Sequence, residues 1–229
     1  RWGETVLSKL VEALPRLSGD ARVLAIDLLA DLAGDRSIDA LMEVARHGEG
    51  RAAEAAVRGL GRYAGAEGVN VLVEISKRSD SEISEHGFVA LTQIAKRVPQ
   101  AVAARVRDLV QREGVSPGWL RILGAAKRAE DAKLVLSFSA HPDPRVRVCA
   151  IRALGEFGHE ACAGVLVLAL KDANPEVRAA AAQALGQLPA VLGGVALKEA
   201  LADSDPWVVE QAALAIGRLG FVDAVRDLV

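Results

Sequence analysis

Aromatic residues make up only 3% of this chain, and its 229 residues include two cysteines, four histidines and one methionine. So few rings leave the interior to Leu, Val, Ile and above all Ala, a filling that suits closely stacked helices. They also provide little with which to stack on or flip a nucleic-acid base. Cys149 and Cys162 stand at unequal distances from the turn between their helices, so no disulfide is expected, and two thiols suit a reducing compartment. Net charge is nearly absent, with 28 Lys and Arg against 30 Asp and Glu giving −2. That excludes bulk attraction to nucleic acid or an anionic membrane. No charged-then-apolar leader opens the chain and no apolar run reaches the length of a membrane span, so a cytoplasmic protein is expected. A Gly-rich phosphate loop is missing too, and Gly193-Gly194 is read as close packing or loosening within a helix.

What the chain does have is a repeat. Asp143-Pro144-Arg145-Val146-Arg147 returns as Asn174-Pro175-Glu176-Val177-Arg178 and again, with Val209 in place of the second Arg, as Asp205-Pro206-Trp207-Val208-Val209. Each runs on into Ala-Leu-Gly or Ala-Ile-Gly. The spacing is 31 residues at both steps, and a fixed period in this range marks a stacked-repeat solenoid. Asp or Asn before Pro places an N-cap on a helix start whose first residue has no amide to leave unpaired. Val146, Ala150, Ile151 and Leu154 then form one apolar helical stripe, and Gly158 can end the helix in a left-handed conformation. A second stripe, Ala163, Leu166, Val167, Ala169 and Leu170, follows before the next Asn-Pro. Each unit is therefore a helix A, a tight turn and a helix B.

Taken in order, residues 1–17 carry a helix B without its helix A, and full repeats are expected over 18–48, 49–79, 80–111, 112–142, 143–173 and 174–204, with 205–229 an incomplete last one. The third repeat starts at Asp80-Ser81, with its helix B beyond a loop lengthened around Pro99. The fourth starts late, at Ser116-Pro117, with Trp119 just inside. The core is expected at Leu29, Leu60, Leu91, Leu123, Leu154, Leu185 and Ile216. No second domain or linker interrupts residues 1–229, and both ends cut through a repeat, as in part of a longer protein.

Asp-Pro-x-Val-Arg followed by Ala-x-x-Ala-Leu-Gly at this period resembles HEAT repeats of the short bacterial type also found in phycobilisome-lyase proteins. The resemblance implies an all-α fold, a right-handed α-solenoid of stacked antiparallel helix hairpins, with B helices lining a concave face used for protein partners. Its motif is structural and brings no catalytic residue, so no enzyme is expected.

Candidate chemistry is thin. His47, His86, His141 and His159 belong to different repeats with no shared position, whereas a metal pair needs about four or more converging ligands. No metal or cofactor is expected, and the histidines are read as facing solvent. Cys149 and Cys162 lack a recurring His neighbour that could activate a thiol. A bilin-lyase-type role would rest on fold analogy alone. Nucleic acid is the stronger alternative, because Lys96, Arg97, Arg105, Arg107, Arg112, Arg121, Lys127 and Arg128 cluster against only Asp108 and Glu113. Ranked first is a non-catalytic scaffold binding a partner protein, or another domain of its own protein, on the concave face. Outward B-helix positions place Arg36, Asp39, Glu43 and Glu74 at its polar end, and Leu168, Leu192, Val195 and Glu199 at its apolar end.

Overall fold

A computed structural model describes residues 2–32, 34–79 and 81–220, and among these it contains helices and turns but no strand. The helix start expected at Asp80 and the last helix B, expected to include Phe221, Val225, Leu228 and Val229, lie outside the described residues. The fold is an all-α solenoid of helical hairpins, and its chain divides into two compact units, Arg1–Arg105 and Val106–Val229.

In the first unit α1 (Trp2–Ala13) precedes two hairpins, α2 (Gly19–Asp31) with α3 (Asp35–His47) and α4 (Gly50–Tyr63) with α5 (Val69–Ser76), and then α6 (Ser81–Arg97). Here α4 packs between α2 and α6, helix A on helix A. Exposed ion pairs join the A helices at the repeat spacing, Arg51 to Asp20 at 2.7 Å and Arg58 to Asp27 at 3.3 Å. Pairs this open each contribute at most about 1 kcal/mol. Orphan carbonyls at helix ends are met from the next repeat. Arg78 donates to the carbonyls of Ala45 and Arg46, and Arg97 to that of Ala64 at 2.8 Å.

The boundary between the units falls within α7 (Pro99–Glu113). Pro99 does not lengthen a loop, contrary to the expectation: α6 runs on to Arg97, a single residue intervenes, and Pro99 opens α7. A proline needs no intrahelical partner for its nitrogen there, which is why the first turn tolerates it.

The second unit continues with α8 (Pro117–Ala126), α9 (Ala132–Leu136), α10 (Pro144–Phe157), α11 (Ala163–Ala169), α12 (Pro175–Leu185), α13 (Ala190–Ala200) and α14 (Pro206–Arg218). The starts behave as their residues dictate. Side chains of Ser116, Asp143, Asn174 and Asp205 each accept a backbone amide of their own first turn. Gly158 ends α10 at φ +65°, and Lys127, 31 residues earlier, is driven into the same left-handed region at φ +50°. All seven expected core positions are buried, from Leu29 to Ile216.

Between successive A helices a glycine lies against an alanine 29 residues on. A Cβ added at Gly124, Gly155 or Gly186 would come within 2.9 Å of the Cα of Ala153, Ala184 or Ala215, and in the first unit the same holds for Gly61 against Ala90. The small residues let backbone meet backbone.

Beside these contacts runs an ion-pair ladder. Arg147 donates to both oxygens of Asp172 at 2.8 and 2.7 Å, and Arg178 to both oxygens of Asp203 at 2.7 and 2.8 Å. Each Arg also binds backbone carbonyls just ahead of its helix, and each Asp accepts the backbone amide of the following cap residue, Asn174 or Asp205. One side chain thus fastens a helix A to the turn that starts the next. Val209 ends the series.

Candidate interaction surface

The apolar residues expected on the B-helix side are on α11 and α13, and the sequence explains why. Segment Ala163–Ala169 reads AGVLVLA, without a charge, so once Ala163 and Leu166 are buried the remaining face has only aliphatic groups to show. Leu168 stays 70% exposed, Val191 89% and Val195 74%. Exposed apolar groups clustered in this way mark interaction sites more often than chance surface.

A groove of about 510 Å³ runs between α11 and α13, lined by Val167, Leu170, Lys171, Leu192, Val195, Glu199 and Asp203 among others. It brings Leu192, Val195 and Glu199 together. Leu168 lines a neighbouring cavity of about 430 Å³ instead, with Val165, Arg147 and Asp172. Leu192 is half-buried, so it forms groove wall rather than free surface. Gly193 sits inside α13, where an added Cβ would come within 2.8 Å of Leu185, so close packing accounts for it.

The polar candidates form a separate group in the first unit. Arg36, Asp39 and Glu43 are exposed on α3 and Glu74 on α5. Glu74 reaches Arg46 at 3.6 Å, Glu43 reaches His47 at 3.7 Å, and Arg36 donates to the hydroxyl of Ser8 at 3.3 Å. Sequence reasoning missed Leu24 and Leu28 on α2, both exposed, which stand 31 residues ahead of Ala55 and Gly59.

The basic segment is largely committed to local partners. Arg107 donates to Glu130 at 2.8 Å and to the fully buried Asp131 at 2.7 Å, and Arg128 meets Glu130 at 2.6 Å. These two guanidinium groups, Arg128 first and Arg107 second, lower the Glu130 carboxyl to about 2. Arg112 pairs with Asp108 at 2.6 Å, Lys127 approaches Glu156 at 3.7 Å, and Arg105 donates to Asn70 at 3.1 Å. Asp131 carried no sequence signal, because the matching positions of later repeats hold Cys162 and Gly193.

Reactive groups are muted. Burial pushes the thiols of Cys149 and Cys162 up, away from the thiolate form that a nucleophile needs. His47 and His159 are exposed, but His86 and His141 are half-buried rather than facing solvent as expected, and His141 Nδ1 accepts the amide of Asp143 at 3.1 Å. No three His, Cys, Asp or Glu side chains converge as metal ligands among the described residues. Nor is any helix among them long and apolar enough to cross a membrane.

Comparison with known proteins bears out the resemblance. Residues 132–217 match the family described as HEAT repeats. The chain is similar in structure to the archaeal HEAT-like repeats protein from Thermococcus onnurineus NA1, at a TM-score of 0.57 and 15% identity over 94% of this chain and 97% of that one. It is also similar to human deoxyhypusine hydroxylase, at 0.45 and 18% over 96% and 97%. A third likeness is to the complex of CpcE and CpcF of phycocyanin lyase from Nostoc sp. PCC7120, at 0.45 and 20% over 93% of each. At 15% identity the first likeness is one of fold alone, and the other two bear on nothing further. No curated protein matches the chain.

Proposed function

We propose that the chain is a non-catalytic scaffold that binds a protein, or another domain of its own protein, through the B-helix side of α11 and α13. The observation that carries this reading is the pair Val191 and Val195, exposed on the α13 wall of the groove, with Leu168 exposed on α11 beside the neighbouring cavity. Water disfavours such surface at roughly 25 cal/mol per Å², so a partner that covers it gains the corresponding free energy. Nucleic-acid binding ranks below this because Arg107, Arg112 and Arg128 already face carboxylates.

A photo-crosslinking side chain at position 195, used in the native host, tests the reading. It is expected to trap a protein-sized adduct that the same side chain at exposed Arg62 does not, and Val191→Asp is expected to remove that adduct while moving the thermal midpoint by less than about 2 °C. An adduct indifferent to Val191→Asp, or equal trapping at both positions, would contradict it.

A further inference from the structure

Lys171, two residues past the end of α11, and Glu199, near the end of α13, are exposed at the same end of the groove. Neither has an ion-pair partner among the described residues. Asp203 beside them is not available, because both its oxygens are held by Arg178. The patch therefore offers one free charge of each sign on opposite walls of an apolar groove. A partner of one net sign would satisfy one of these charges and repel the other.

The apolar part is asymmetric in a matching way. Val195 on α13 is a projecting side chain, whereas the position 31 residues earlier on α11 is Gly164, exposed, with nothing among the described residues within 4 Å of where its Cβ would be. One helix carries a knob and its neighbour, at the same level, a hole.

We infer that the occupant of this groove is a second copy of the chain, related by a two-fold axis running along the groove. That operator sets α13 of each copy on α11 of the other, which is the self-matching arrangement an isologous contact requires. Val195 of one copy then meets Gly164 of the other, and Glu199 at the level of Leu168 lies about one helical turn from the other copy's Lys171. Each of the four charges then has one partner of opposite sign. The inference rests on the groove being an association surface, as proposed above, and adds what fills it.

Sedimentation equilibrium of the whole chain over a wide concentration range tests it. The chain is expected to dimerise reversibly. Lys171→Glu and Glu199→Lys, each of which turns two attractive contacts into two repulsive ones, are expected to raise the dissociation constant at least about tenfold. Mixing the two variants in equal amounts is expected to restore dimerisation, since every charge then meets its opposite, and so is the double swap in one chain. Gly164→Leu, on exposed helix, is expected to weaken the dimer without lowering the thermal midpoint. A chain that stays monomeric to its solubility limit, or a dimer indifferent to the single charge reversals and to their mixing, overturns the inference. The two readings separate cleanly: a monomer that still gives the Val191-dependent adduct at position 195 leaves the interaction surface standing and removes only the second copy, whereas failure of both experiments removes the surface as well.

Discussion

Gly155 shows how much a single hydrogen atom decides in this stack. Within a helix, glycine is less favourable than alanine by about 1 kcal/mol, so Gly155→Ala would stabilise an isolated helix. Here the new Cβ would stand 2.6 Å from the Cβ of Ala184 and 2.9 Å from its Cα. Backbone cannot step aside as a flexible side chain can, so overpacking outweighs propensity and the substitution is expected to cost about 1–3 kcal/mol. Gly217 on α14 occupies the same place in its repeat as Gly155, two repeats earlier, but among the described residues nothing lies within 4 Å of its missing Cβ. Gly217→Ala is therefore expected to stabilise by up to about 1 kcal/mol. Denaturant titration of both variants checks the opposite signs, and two changes of the same sign would remove close packing as the reason for the glycines.

Between elements, the ladder from Arg147 to Asp172 and from Arg178 to Asp203 joins each helix A to the following turn. Both carboxyls are held below the ordinary carboxylate range. For Asp203 the Arg178 hydrogen bonds dominate. For Asp172 burial is the largest single influence and pushes the carboxyl up, but the hydrogen bonds from Arg147 and the Asn174 amide, with the two Arg charges, outweigh it. A carboxyl depressed by folding contributes stability that is fully present above its unfolded value, near 4, and is lost as pH falls through the lower folded value. Asp203→Asn should cost about 1–3 kcal/mol at neutral pH, the scale of a hydrogen bond to a charged group. The gap from the parent should begin to narrow as pH falls below about 4 and should close once pH has passed the lower folded value, where both side chains are neutral. Thermal melts from pH 7 to pH 2 follow it, and a gap that stays constant would show that the carboxylate charge contributes nothing.

At the scale of the whole molecule, much of the fold was legible in the sequence, because the 31-residue return of Asx-Pro and of the Leu core is written in the side chains themselves. Leu29 through Ile216 are buried as read. Pro99 was misread because proline signals a helix start and a loop equally well until the length of α6 is known. The ladder left a trace that could have been used, since Asp172 and Asp203 stand 31 apart and each two residues before a cap. Its pairing spans 25 residues, however, and depends on how the hairpin closes. On the candidate surface, the apolar character of Leu168, Leu192 and Val195 could be read from helical phase. Their division between two cavities could not, because it depends on the spacing of neighbouring helices. Amide hydrogen exchange on the chain in its native assembly, compared with the Val191→Asp, Val195→Asp double variant, is the most direct test that α11 and α13 form a binding surface. Slower exchange over residues 163–200 in the parent, with the remaining helices unchanged, is the expected result. Equal exchange over those residues, or protection confined to other helices, would contradict the account.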